Sequence, residues 1–237
     1  MILKPSSSTP NRALPRAARF VTGTSGIYRC AIHVAWGPAH GEEDELSHED
    51  MFVASLRNRI RAMNVLWERA VSDLTLEQMN HHEREGVLPM AFSFSHYIRA
   101  QDQSISVPIM RDTPLWLSGG WAAKVGVSVD ALGREETVEE MQHLKFADIG
   151  AWREYQSAVI ARTSAALESI SADMLADVLL PQLPPNMQNI FCAIVIGPGA
   201  PLRKLEVLEC FVHQHGLRHM GEIEHGRALV GLQGMTS

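Results

Sequence analysis

Four histidines fall within residues 213–226, HQHGLRHMGEIEHG: His213, His215, His219 and His225. Imidazole is the commonest protein ligand for metals and also an ordinary core or surface side chain, so spacing has to decide which of the four could act together. On a helix, residues i and i+4 lie one above the other on a single face. His215 and His219 therefore point together. His213 sits about 200° around from His215 at 3.6 residues per turn, and His225 is more than a turn past His219 and off its face. An inward pair needs partners, because an unsatisfied polar group in a core costs on the order of 1–3 kcal/mol. A metal ion satisfies two imidazoles at once; the alternative is two half-buried histidines hydrogen-bonded within the core.

A catalytic zinc-type site takes three protein ligands and keeps one position open, so a third ligand must come from another helix. His96 is the best candidate, because it lies mid-helix in an otherwise apolar segment, PMAFSFSHYIRAQDQSIS. His81 and His82 fall in a connection, and His143 lies ahead of the next helix. Glu222, three residues after His219, could bind a metal, orient a ligand or be a solvated carboxylate. The HExxH pattern is absent, so a metalloprotease glutamate is not in its usual place.

The elements that must carry these residues show as helical periodicity. Over 48–73, Phe52, Leu56, Ile60, Met63, Trp67 and Ala70 recur at spacings of three or four, which predicts one apolar stripe, with Ser47 as an N-cap. A second helix is expected over 89–106, opened by Pro89, with Met90, Phe94, Tyr97 and Ile98 on its apolar face. A third runs over 146–170 through Ile149, Trp152, Val159, Thr163, Leu167 and Ile170. The fourth follows Pro201, and its seam of Leu205, Leu208, Val212, His215 and His219 changes from aliphatic to imidazole partway along. Between the second and third helices, 107–145 is too long for a tight turn and suits a crossover, with short helices around 119–125 and 137–143. Another short helix is expected near 171–180. The apolar run 190–196 reads equally as a buried strand or a helical turn. The fold class expected is all-α: a four-helix bundle with one long crossover between helices 2 and 3.

The chain has 237 residues, a net charge of −6 and a pI near 6.0. That balance argues against a large phosphate-neutralising surface and so against nucleic acid as the main partner. Arg57, Arg59 and Arg61 form the strongest basic cluster, and on a helix Arg57 and Arg61 would share one solvated face. No apolar run approaches the ~18 residues of a membrane span. Cys30, Cys192 and Cys210 are sparse and odd in number, which favours a reducing compartment, the cytoplasm, over a disulfide framework. Cys210 reads as a small buried apolar residue. The first 41 residues hold Lys4, Arg12, Arg16, Arg19 and Arg29 and no acid. This composition overlaps with organelle transit peptides, although a flexible extension over 1–47 ahead of a helical domain over 48–237 is the plainer expectation.

The ending HGLRHMGEIEHGRALVGLQG resembles the signature of the DinB/YfiT-like metal-binding four-helix bundles: a histidine, three residues, a second histidine, a Gly-Glu or Gly-Gln pair, then a Leu- and Gly-rich tail. His215 and His219 match its two histidines. FSFSHYIRAQDQ is similar to the segment carrying the family's third, at His96, and PLWLSGGWAAKVGV resembles the Trp-Gly motif of some family crossovers. The resemblance spans 48–234, weakest over 171–200. It implies a divalent metal, zinc or nickel, held by His96, His215 and His219, often a homodimer, and in some members a thiol-dependent transferase or isomerase acting on a small-molecule substrate with a low-molecular-weight thiol. On that reading the metal would lower the pKa of a bound thiol. Arg99 or Arg218 could hold a substrate carboxylate, and Trp116 and Trp121 could line a pocket mouth or anchor the crossover. The competing functions are a metal-dependent hydrolase, which would use the same ligands, and a non-catalytic metal- or small-molecule-binding bundle.

Overall fold

The computed structural model describes residues 47–130 and 137–235, all within a unit spanning Asp44–Ser237. The expected extension over 1–47 lies outside the described residues except for Ser47, as does Cys30. The described chain is mostly helical. Its long helices are α1 (His48–Ser72), α2 (Met90–Ile105), α3 (Ile149–Glu168) and α4 (His215–Leu229). A short antiparallel pair, β1 (Val178–Leu180) and β2 (Leu202–Arg203), is the sheet among these residues. Helix α1 packs against α3 and α4, and α2 packs against the same two.

The stripe on α1 runs as expected from Leu56 to Ala70 but starts one residue later. Val53 is buried at 4% exposure, while Phe52 is 44% exposed. Ser47 caps the helix, its hydroxyl accepting from the Asp50 N–H at 3.1 Å. The aromatic centre of the core is Trp67, stacked on Tyr97 with centroids 4.5 Å apart and meeting Phe94 edge-on at 5.3 Å.

The arginines Arg57, Arg59 and Arg61 are all paired, while the Arg59 and Arg61 side chains stay 40% exposed. Arg57 donates to the carbonyls of Leu167, Glu168 and Ile170 at the C-terminal end of α3, where helical carbonyls run out of partners within the helix. Arg153 of α3 does the same for α1, donating to the carbonyls of Val71, Ser72 and Leu74. Arg59 pairs with Glu209 at 2.6 Å, and Arg61 pairs with Glu168.

Beyond Ile105, the helix of α2 continues as a π-helical turn, Ser106–Met110, that contains Pro108. Proline has no N–H to donate and crowds the preceding turn, so a widened turn accommodates it. The connection to α3 then carries short helices at Leu115–Ser118, Trp121–Val125 and Val138–Met141. Its start is fixed by the buried Asp102, whose carboxylate accepts from the N–H groups of Leu115 at 3.0 Å and Trp116 at 2.9 Å and from the Ser106 and Tyr155 hydroxyls at 3.0 Å each. Trp116 is buried and meets Tyr155 edge-on, so it anchors the crossover.

After α3 the expected helix near 171–180 stops at Ala176 and gives way to β1. The apolar run 190–196 resolves as a short helix, Phe191–Ile196. The segment leading into α4 is not uniformly α-helical: Lys204–Glu206 makes one turn, and Val207–Gln214 is a π-helix running directly into α4.

Candidate metal centre

His96 projects from the middle of α2, and His215 and His219 from the first turns of α4. The three rings converge. The Nε2 atoms of His96 and His215 are 3.1 Å apart, those of His215 and His219 are 3.0 Å apart, and one ligand atom from each ring lies within 4.8 Å of the others. Among the described residues these three are the group of His, Cys, Asp or Glu that could hold a metal ion. A tetrahedral ion bonded to imidazole at about 2.0–2.1 Å needs ligand atoms about 3.4 Å apart, so small ring rotations would accommodate one.

The outward ring nitrogens set the proton positions. The His219 Nδ1 is 2.7 Å from Glu222 Oε2, and the Ser93 hydroxyl donates to the same oxygen at 2.6 Å. Burial pushes the Glu222 carboxyl up, but the hydrogen bonds from His219 and Ser93 and the nearby imidazoles outweigh it and hold the pKa below the usual range. An ionised carboxylate only accepts, so His219 carries its proton on Nδ1. His215 bonds to the Phe211 backbone carbonyl, and burial, followed by the neighbouring His219, His96 and Arg218, pushes its pKa down to about 3. Its ring is therefore neutral near pH 7, with the proton directed to Phe211 and the lone pair on Nε2.

That lone pair faces two other Nε2 atoms. Hydrogen bonding alone would need both His96 and His219 to donate to a single in-plane lone pair on His215. A cation among three lone pairs has no such conflict, so the donor set fits a metal ion. The surroundings are partly apolar: Phe92 stacks on His96 with centroids 5.4 Å apart, and Tyr97 meets His215 edge-on at 5.6 Å. The Tyr97 hydroxyl donates away from the centre, to the Val212 carbonyl at 3.2 Å.

The other candidates separate cleanly. His213 is turned towards Glu209, 3.8 Å away, and His225 is exposed. His81 pairs with Glu83, while His82 and His143 face one another away from the three-histidine group. Glu222 holds the His219 ring rather than joining the three-histidine group. Arg99 is buried, paired with Asp130 at 2.8 Å and placed 4.3 Å over the Trp116 ring; Arg218 is exposed. Ser93 and the Phe211 carbonyl were missed by sequence reasoning. Ser93 has a readable signal, since it lies three residues before His96 on the same side of the helix; a backbone carbonyl has none.

No family model and no curated protein matches the chain. Among solved structures it is similar to a conserved protein of Enterococcus faecalis, with a TM-score of 0.57 and 20% sequence identity over 76% of this chain and 95% of that one. At that identity the likeness concerns the fold alone.

Proposed function

We propose that this chain is a divalent-metal-dependent protein of the DinB/YfiT kind, with a zinc or nickel ion held by His96, His215 and His219, acting on a small electrophilic substrate with a low-molecular-weight thiol. In this reading the four long helices are a four-helix bundle and 106–148 is its long crossover, supported by α1 and α2 each packing on both α3 and α4. The observation that carries the proposal is the convergence of three Nε2 atoms on one point, with His215 Nε2 facing both others at 3.0–3.1 Å.

When bound, a divalent ion lowers the pKa of a coordinated thiol or water, making a nucleophile at neutral pH. The chain's own residues prepare for this. Burial keeps His215 neutral and able to bind. The Phe211 carbonyl and the Glu222 carboxylate fix the outer nitrogens of His215 and His219, so both rings present Nε2 to the same point. Phe92 and Tyr97 shield the imidazoles from water on two sides. With Glu222 held by Ser93 and His219, the protein supplies three ligands and a small molecule completes the coordination, which favours catalysis over a closed structural site. Cys210 is buried on a different side of its helix, so the nucleophile comes from the small molecule.

Elemental analysis of purified protein tests the centre. Wild type is expected to carry stoichiometric metal and His215→Ala to lose it; equal trace metal in both would sink the assignment. A panel of thiols with a model electrophile tests the chemistry, where a rate no higher than that of the chelator-treated protein would remove the thiol reading and leave the metal site standing.

A further inference from the structure

Tyr97 follows His96 on α2, and its hydroxyl reaches the segment that leads into α4. The side chain is fully buried and stacked on Trp67. Its hydroxyl lies 3.2 Å from the Val212 carbonyl and 3.5 Å from Met63 Sδ. A hydroxyl has one hydrogen to donate, and a carbonyl oxygen accepts it better than a thioether, so the bond goes to Val212. The same ring meets His215 edge-on at 5.6 Å, and a Cβ on Gly216 would lie 2.6 Å from its Cζ and Oη. Tyr97 therefore bears on Val212, His215 and Gly216 together.

At that junction the backbone changes register. Val207–Gln214 is π-helical, and the His215 N–H still reaches five residues back, to the Cys210 carbonyl. From His215 onward the chain is α-helical, with bonds to the residue four back. A change from five to four passes over one carbonyl, which is left to a donor from outside the ladder. Val212 lies within that step and accepts from Tyr97. The register also decides which side chains face α2. At 3.6 residues per turn, a slip of one residue turns every later side chain by about 100°, enough to carry His215 and His219 away from His96.

We propose that the Tyr97 hydroxyl is a positioning group for the metal centre: by holding the Val212 carbonyl it fixes the change from π- to α-helical register that sets His215 and His219 against His96. The inference rests on the three-histidine metal reading and adds to it a residue that touches no ion. It separates the hydroxyl from the ring. Phenylalanine at 97 would keep the stack on Trp67 and the shielding of the imidazoles and lose the donor alone.

The test uses the full-length chain, stripped of metal and reloaded with cobalt(II), whose visible absorption bands report coordination geometry, beside a chelator competition for zinc. Wild type is expected to bind both ions. Tyr97→Phe is expected to fold, to lose about tenfold in zinc affinity and to change the position and intensity of the cobalt bands. Val159→Ala, which removes buried methyl groups from α3, controls for stability: it should lower Tm and keep wild-type affinity and bands. Wild-type affinity and bands in Tyr97→Phe, or the same changes in both variants, would overturn the proposal. A wild type that takes up neither ion rejects the metal reading itself and this inference with it. If Tyr97→Phe does not fold, wild type decides. Coupling between two sites is reciprocal, so zinc is expected to slow solvent exchange of the Tyr97 hydroxyl proton in NMR spectra, and a rate unchanged by zinc would reject the assigned role.

Discussion

Glu222 accepts from the His219 ring and from the Ser93 hydroxyl through the same oxygen. Its place in the sequence left three roles open, because residue type and spacing do not say which way a carboxylate turns. The structure turns it onto His219 Nδ1, where it holds the ring and fixes its tautomer. Loss of such an outer partner typically costs 10–100-fold in metal affinity. Glu222→Ala is expected to weaken zinc binding by about that factor in a chelator competition, with Glu222→Gln between it and wild type, since the amide oxygen can still accept but carries no charge. Unchanged affinity in Glu222→Ala would place the carboxylate outside the centre. His96, His215 and His219 were legible because i, i+4 spacing and an apolar context are properties of the sequence. The tautomers were not, since they depend on the Phe211 carbonyl and on a serine from another helix.

At the scale of elements, α4 approaches α2 closely at Gly216, the residue after His215. A Cβ there would collide with Met63 Sδ and lie 2.6 Å from both Cζ and Oη of Tyr97. The methionine can move, but Tyr97 is fully buried and stacked on Trp67. Gly216→Ala is therefore expected to cost about 1–3 kcal/mol in denaturant unfolding and to weaken metal binding, because it pushes His215 away from His96. Gly226→Ala, which meets only the flexible Met90 side chain, should cost less. If the two variants prove equally stable and bind metal alike, the close approach at Gly216 does not set the ligand geometry.

The long helices were legible to within a few residues, since a stripe of apolar residues over several turns has one solution. Three features were not. The stripe on α1 begins at Val53 rather than Phe52, because two adjacent apolar residues at a helix start fit one face equally well. The three-residue β1 is too short for alternation to show. The π-helix of Val207–Gln214 was hidden because Leu208, Val212 and His215, spaced four and three apart, satisfy an ordinary α-helical seam, while the backbone widens so that the His215 N–H reaches the Cys210 carbonyl. That widening, and the packing of Cys210 in a small cluster with Leu183, Cys192 and Leu202, follow from tertiary packing rather than local pattern.

Across the whole molecule, arginines tie helix ends together. Arg227 in the last turn of α4 grips Asp73 beyond α1 through two bonds of 2.6 and 2.9 Å and also donates to the Ala70 carbonyl. The Arg227 hydrogen bonds come first among the effects on the Asp73 carboxyl and hold it below its usual pKa of 3.8, against a smaller cost of burial. A depressed carboxyl stabilises the fold above its unfolded pKa, and that contribution is lost as pH falls through the lower folded value. Because Asp73 is half exposed, the contribution is within about 1 kcal/mol. Asp73→Asn is expected to be slightly less stable than wild type at pH 7, with the gap closing below pH 3.8 in denaturant titrations; a gap independent of pH would show that the charge contributes nothing.

No helix among the described residues is long and apolar enough to cross a membrane. The helical fold is shared with the Enterococcus faecalis protein at 20% identity, a level at which packing pattern persists while side chains diverge.

Arg57 and Arg153 make a reciprocal arrangement: α1 closes the C-terminal end of α3, and α3 closes that of α1. Each helix receives at its last turn a donor carried by the other. In a folding chain each arginine reaches those carbonyls only once the two helices have docked, so these ends form together and belong to one cooperative unit.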